Sequence, residues 1–236
     1  MVRMLRTAPF VLVAACSVPD VDLSNKTCPC ASGYTCVANQ CERTTGSDGG
    51  SPVSCLGTTP GTSLYSDNFD AATIDAGWVT TSMWAQTGGE LVQSDPNDQL
   101  AFAYTTRVTA TSYRVVAQMT TTATGMGMGI AVRAAPGAKT QYDCLWLPGG
   151  TATLLWQWTN NGGVPSTYTT QIGLPSSMTV TMEVTAIGTE LRCCIDNIAG
   201  ANVTVSNPSP SYATGQPGVV TDRTRASFDN FAVYAN

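Results

Sequence analysis

Met178-Thr179-Val180-Thr181-Met182-Glu183-Val184-Thr185-Ala186, residues 178–186, alternates two kinds of side chain without a break. Met178, Val180, Met182, Val184 and Ala186 are apolar, and Thr179, Thr181, Glu183 and Thr185 between them are polar. Successive side chains of a β-strand point to opposite sides of the backbone, so a period of two marks a strand with one buried face and one solvated face. The same period recurs on both sides. In 111–119, Tyr113, Val115, Ala117 and Met119 share a face opposite Ser112, Arg114 and Gln118. In 126–134, Met126, Met128, Ile130 and Val132 alternate with Gly127, Gly129, Ala131 and Arg133. In 190–196, Leu191, Cys193 and Ile195 alternate with Glu190, Arg192, Cys194 and Asp196. Turn signals such as Pro148-Gly149-Gly150 and Asn160-Asn161-Gly162-Gly163 separate the runs. The expected fold is all-β, a two-sheet antiparallel sandwich.

Composition agrees. Thr, Ser, Gly, Ala and Val dominate, charged residues are 11% of the 236, and no long stretch reads as helix. The chain has no histidine, which removes mechanisms that need an imidazole base or a His-ligated zinc. Its formal charge is −5, and loss of a leader holding Arg3 and Arg6 makes it more acidic by two. An acidic surface repels phosphate backbones, so nucleic acid is not an expected partner.

Residues 1–15 read as a signal peptide: two arginines, then the short apolar run Ala8 to Ala15, far below the roughly 20 residues of a spanning helix. Val13-Ala14-Ala15-Cys16 matches the bacterial lipobox, so Cys16 is the expected lipidation site and the chain is expected to be exported and lipid-anchored at the outer membrane or cell surface. Nine cysteines make an odd number, and assigning Cys16 to lipid leaves eight, an even set for disulfides. Behind a tether at 16–27, residues 28–41 carry Cys28, Cys30, Cys36 and Cys41 in a stretch too short to bury a core. Its Gly33-Tyr34 turn between half-cystines looks like a fragment of an epidermal-growth-factor-like knot. Pairing 28–36 with 30–41 is one of three possible connectivities, and the spacing lacks the C-x-x-C pairs of a zinc site. Residues 42–54 read as a flexible linker, and 55–236 as the sandwich. Cys193 and Cys194 are adjacent on one strand and must point to opposite faces. One is expected to bind Cys144 and the other Cys55, with a strained vicinal 193–194 bond as the alternative.

The ends of the sandwich carry a resemblance. Tyr65-Ser66-Asp67-Asn68-Phe69-Asp70 leads to Trp78, Trp84 and Gly88-Gly89-Glu90-Leu91, and the close is Gly215-Gln216-Pro217-Gly218-Val219-Val220 and Ala226-Ser227-Phe228-Asp229-Asn230-Phe231-Ala232-Val233-Tyr234. Over about 62–236 this resembles a concanavalin A-like (laminin-G-like) jelly roll, of the sort found in bacterial surface proteins and keto-disaccharide hydrolase-like domains. The resemblance implies that first and last strands lie side by side, so that Asp-Asn-Phe at 67–69 meets Asp-Asn-Phe at 229–231. It also implies a calcium ion where the termini meet, with Asp67 or Asp70 and Asp229 as ligands. The fold alone fixes no function.

Catalysis is not expected. The Glu-x-Asp-x-x-Glu run of laminarinase-type hydrolases is missing, and the His of this fold's lyases has no counterpart. The aromatic residues suggest binding, since sugar rings stack on aromatic faces. Trp78 and Trp84 fall where such folds pack their core. Tyr142 and Trp146 share one face of their strand, as do Trp156 and Trp158. Alternation leaves open which face they take, because Leu145, Leu147 and Leu155 make the opposite faces apolar too. Arg114, Arg133, Glu183 and Arg192 are expected on a polar sheet face, a second candidate patch or a plain solvated surface. The expected function is a surface-displayed, non-catalytic module binding carbohydrate or another extracellular polymer. The alternatives are an adhesive lipoprotein with an envelope-protein partner and a glycan-active enzyme with an unfamiliar site.

Overall fold

Runs of β-branched and aromatic residues broken every few positions by Gly, Pro, Asn and Asp disfavour helices, and the regular elements among the described residues are all strands. The computed structural model describes residues 34–37, 40–43, 55–56 and 61–236, apart from 82, 99, 109, 122–126, 136–139, 149–152, 160–165, 172–177, 197, 199 and 210. It divides into two compact units, residues 1–52 and 53–236. In the first, β1 (Tyr34–Val37) and β2 (Gln40–Arg43) form an antiparallel hairpin whose register sets Cys36 across from Cys41. Cys16, Cys28 and Cys30 lie outside the described residues.

The second unit holds β3 (Ser63–Asp67), β4 (Trp78–Thr80), β5 (Trp84–Thr87), β6 (Glu90–Gln93), β7 (Ala101–Thr105), β8 (Tyr113–Thr121), β9 (Gly127–Ala135) and β10 (Thr140–Leu147). After them come β11 (Thr153–Thr159), β12 (Ser166–Gln171), β13 (Thr179–Ile187), β14 (Glu190–Ile195), β15 (Asn202–Ser206), β16 (Gln216–Asp222) and β17 (Ala226–Ala235). A seven-stranded sheet runs β12-β11-β10-β9-β16-β7-β4, and an eight-stranded sheet runs β15-β14-β13-β8-β17-β6-β5 with β3 also on β17. All pairings are antiparallel. First and last strands of the sandwich do lie side by side, Asp67 opposite Phe231. The repeated Asp-Asn-Phe brings Phe69 and Phe231, both fully buried, against Trp78 at centroid distances of 5.5 and 5.0 Å.

The core lies between the sheets and is built from the alternating apolar sets. Val115, Ala117 and Met119 of β8 and Val180, Met182 and Val184 of β13 meet Met128, Ile130 and Val132 of β9 and Cys144, Trp146 and Trp156 of β10 and β11. Two disulfides fix it. Cys193 points inward and bonds Cys144 across the core, while Cys194 points outward and bonds Cys55 on the back of the eight-stranded sheet. Opposite directions for adjacent residues separate the two partners without a vicinal bond.

Two expectations fail here. Alternation placed Arg133 on the polar face of its strand, but β9 has a bulge. Three steps from Ala131 to Ala134 oppose two from Gly218 to Gln216, and Arg133 takes a left-handed φ of 52°. The extra residue turns its side chain to the end of the sandwich. There it is buried and donates to the carbonyl oxygens of Gly188 at 2.7 Å, Tyr212 at 3.0 Å and Thr111 at 3.4 Å, while its backbone N–H donates to Tyr113 Oη at 2.7 Å. Arg133 ties loops together. The expectation of one apolar and one polar face per sheet also fails for the seven-stranded sheet, whose outer face carries its own buried cluster of Tyr104, Ala131, Ala134, Leu145, Leu155 and Val220.

Candidate functional site

Three of the four aromatic residues expected to bind sugar are in the core instead. Tyr142, Trp146 and Trp156 are about as buried as side chains become, at 1%, 0% and 1% exposure. Trp156 Nε1 donates to Val203 O of the opposite sheet at 3.2 Å, and Tyr142 Oη accepts the Tyr212 N–H at 2.7 Å. These rings face the opposite sheet across the core. Trp158 stands opposite Tyr142 in the strand register, and its side chain is outside the described ones.

The polar patch divides as well. Arg114 and Glu183 do share the outer face of the eight-stranded sheet, but as a buried ion pair, Nε to Oε1 2.7 Å. The Arg114 guanidinium also lies 5.5 Å from the centre of the Tyr234 ring. Glu183 Oε2 sits 3.8 Å from Cys55 Sγ, a contact with no shared proton because that sulfur is in the disulfide. Arg192, half-buried, is one strand over, opposite Thr185 and Thr204. The Cys55–Cys194 bond therefore closes over Glu183, and this face is occupied by its own chain.

The outer face of the seven-stranded sheet differs. One transverse row reads Val79, Tyr104, Gly218, Ala131, Asp143, Gln157 and Thr167 from β4 to β12. The next reads Phe102, Val220, Gly129, Leu145 and Leu155. At the centre the residues are small. A Cβ on Gly218 would strike the Ala103 carbonyl and Tyr104 Cα, and one on Gly129 the Cys144 carbonyl, so close strand approach requires glycine at both. Strand spacing puts β7 and β10 about 14 Å apart across β16 and β9. Only long side chains lying flat over Gly218 and Ala131 can bridge that span. Tyr104 and Gln141 do so, Oη donating to Oε1 at 2.8 Å. Gln141 Nε2 then donates to Asp143 Oδ1 at 2.7 Å, and Gln157 Nε2 to Asp143 Oδ2 at 3.4 Å. Phe102 stacks on Tyr104, centroids 5.5 Å apart and planes 15° from parallel.

Asp143 is the centre of this network. Its carboxyl is completely buried, and burial pushes its pKa up to about 7; the two amides oppose that rise and Asp222, on the same face, adds to it. Among the described residues no cation offsets the charge. Burial also holds the Tyr104 hydroxyl far above its ordinary value, with Asp143 adding to the effect, so it stays a donor. Around the buried centre runs a half-buried rim of Phe102, Leu147, Thr153, Gln216 and Asp222. A desolvated carboxylate away from the core, framed by amides and stacked rings, has the chemistry of a site that receives hydrogen-bond donors. Composition alone did not single it out. The available signal was Asp143 itself, an acid in mid-strand between aromatic and apolar neighbours.

The expected calcium ligands fare unequally. Asp67 spends both oxygens on the protein, Oδ2 accepting from Trp78 Nε1 at 2.8 Å and Tyr65 Oη at 3.0 Å, and Oδ1 from the Phe69 N–H at 2.9 Å. Asp67 does not fit a metal. Glu90 and Asp70 both act on Asp229, which titrates above its ordinary value through burial and then these two like charges, against the lowering effect of the Asn230 N–H. Among the described residues no three carboxylates converge closely enough to share an ion.

No protein-family model matches the chain, and no curated protein matches its sequence. Solved structures match its fold. The carbohydrate-binding module CBM66 from Bacillus subtilis is 16% identical with a TM-score of 0.56, the match covering 67% of this chain and 96% of that one. The CBM2 module of the evolved Dit of Lactobacillus casei BL23 phage J-1 is 8% identical with a TM-score of 0.51, over 74% and 95%. The Bacteroides ovatus xyloglucan PUL GH43B is 21% identical with a TM-score of 0.53, over 72% of this chain and 39% of that longer one. At these identities the likeness is one of fold: the second unit is a two-sheet jelly roll.

Proposed function

We propose that the protein is an exported, non-catalytic module, lipid-anchored through Cys16, that binds carbohydrate on the outer face of its seven-stranded sheet. The observation that carries this reading is the Tyr104–Gln141–Asp143–Gln157 network, buried on a face that does not belong to the core. An Asp kept in such a place costs stability, and Asn would fill the volume without that cost. A locally unfavourable residue of this kind points to use. Likeness in fold to two carbohydrate-binding modules supports the ligand class, and two disulfides suit an oxidising, extracytoplasmic compartment.

Hydrolysis would need Asp222, the acid that acts on Asp143 from four residues along and two strands across, to serve as its catalytic partner, and product release from a polysaccharide panel would show it. A glycan array with the mature protein tests the reading. Tyr104→Phe and Gln157→Ala are expected to weaken any hit at least tenfold while both disulfides and cooperative melting persist. A hit insensitive to both variants moves the site elsewhere. A blank array with a protein partner recovered by crosslinking on cells supports the adhesive alternative. Release of Cys16→Ser into the medium checks the anchor, and retention at the membrane discards it.

A further inference from the structure

The outer face of the eight-stranded sheet gathers two sulfurs and a carboxylate. Glu183 of β13 and Cys194 of β14 are directly opposite in register, so both side chains leave the sheet on the same side. Cys55, which precedes the first strand of the sandwich, is bonded over them. The two sulfurs and a Glu183 oxygen lie within 4.8 Å of one another. Arg114 Nε pairs with Oε1 at 2.7 Å, and Oε2 is turned to Cys55 Sγ at 3.8 Å. A disulfide sulfur has no proton to give that oxygen, and the contact becomes productive only with the bond open. The two disulfides also differ in access. Cys144 and Cys193 are 0% exposed in the core, whereas Cys55 is partly exposed, and thiol–disulfide exchange proceeds where a thiolate can reach a sulfur.

We propose that the Cys55–Cys194 bond is a reducible clasp over a metal site, in which the two freed thiolates and Glu183 bind a zinc-class divalent ion. This site lies on the sheet opposite the carbohydrate face proposed above and is independent of that reading. A dithiol reductant attacks the Cys55 sulfur and the S–S bond breaks. Two electrons and two protons pass to Cys55 and Cys194, and the reductant closes to its own disulfide. The metal ion then displaces both thiol protons. Tetrahedral zinc, with Zn–S about 2.3 Å and Zn–O about 2.1 Å, sets neighbouring ligand atoms roughly 3.6–3.8 Å apart. The Cys55 Sγ to Glu183 Oε2 distance of 3.8 Å already matches that edge. Two thiolates and a carboxylate exceed a divalent ion by one negative charge, and Arg114 supplies the missing positive one while orienting the carboxylate. Thiolates select zinc-class ions over calcium or magnesium, and three protein ligands leave the fourth position to water.

The full mature chain is reduced with a dithiol under native conditions, freed of reductant, and titrated with zinc and with cobalt(II). Peptide mapping is expected to show Cys55–Cys194 open and Cys144–Cys193 intact. The reduced chain is expected to hold one ion more than Cys55→Ser treated alike. That variant keeps Cys28, Cys30, Cys36 and Cys41, so the difference isolates this site. The cobalt form should show a thiolate-to-metal charge-transfer band and the strong visible bands of tetrahedral cobalt. The Arg114→Leu, Glu183→Leu double variant keeps both sulfurs without a buried charge, and its affinity for the ion is expected to fall at least tenfold. Equal uptake by the parent and Cys55→Ser overturns the proposal, and so does opening of the core disulfide before the outer one. Undiminished affinity in the double-leucine variant overturns it as well, since the carboxylate would then be no ligand.

Discussion

The two outer faces of the sandwich bury charge in opposite ways. On the eight-stranded sheet, Glu183 meets Arg114 at 2.7 Å beneath the Cys55–Cys194 bond, and each charge has its counterpart within the chain. On the seven-stranded sheet, Asp143 is equally buried and has only amides for company. The first arrangement is matched in charge and reads as structure, although Arg114 Nη1 has no hydrogen-bond partner among the described residues. Among the described residues the second has no cation beside its carboxyl. Burial of a polar group is therefore a poor guide to function until its partners are counted.

Substitution should give opposite signs on the two faces. Glu183→Gln strands a buried guanidinium, and a broken buried pair costs about 3–5 kcal/mol. A fall of that size in urea-derived stability is expected at neutral pH. Replacing both partners by leucines should recover much of it, and failure to recover would show that the pair does more than offset itself. Asp143→Asn should do the reverse. With a folded pKa of about 7 against an unfolded value near 3.8, Asp143 keeps its proton in the folded state where the unfolded chain has lost it. Its favourable contribution is whole below about pH 4 and is lost as pH rises to about 7, a span of about 4 kcal/mol. The variant should thus be more stable than the parent at pH 8, with the gap closing toward pH 4. A parallel pH profile for the two proteins would mean that Asp143 is not desolvated.

This contrast was only half legible in the sequence. Strict alternation in 178–186 and 111–119 fixes which side chains enter the core, because a one-residue slip would expose the whole set. The adjacency of Cys193 and Cys194 forces two different partners for the same reason. Alternation says nothing where both faces are apolar, and so Trp146 and Trp156 could not be told from Leu145 and Leu155. A bulge defeats it outright, as at Arg133. Partnerships were the least legible. Tyr104 and Gln141 are 37 residues apart and meet only because β16 and β9 put Gly218 and Ala131 between them. No local pattern encodes that row.

The Cys55–Cys194 bond offers a milder test of which face works. Chain-entropy arguments give a disulfide about 2–4 kcal/mol. The Cys55→Ser, Cys194→Ser double variant should lose stability on that scale and keep its saccharide affinity, since the bond lies on the back of the sheet opposite the candidate site. Loss of affinity together with stability would tie the two faces together and weaken their separation.

The smallest effect is expected where the terminal strands meet, at a third group of charges intermediate between the two faces. Asp70 and Glu90 each repel Asp229, with no cation beside it among the described residues, but Asp229 is only partly buried and already accepts from the Asn230 N–H at 2.6 Å and its side-chain amide at 3.0 Å. Solvent screens such charges, so a bound ion can relieve little. We propose calcium here, with Asp70 and Asp229 as its carboxylates and Asp67 excluded. Millimolar calcium should raise the melting temperature by about 2–4 °C, the equivalent of roughly 1 kcal/mol in a domain of this size. Sodium chloride at matched ionic strength separates the two causes. If salt alone gives the same rise, screening of the three acids is sufficient and no calcium is held. If calcium exceeds salt and Asp229→Asn removes the excess, the acids that crowd the strand ends are ligands.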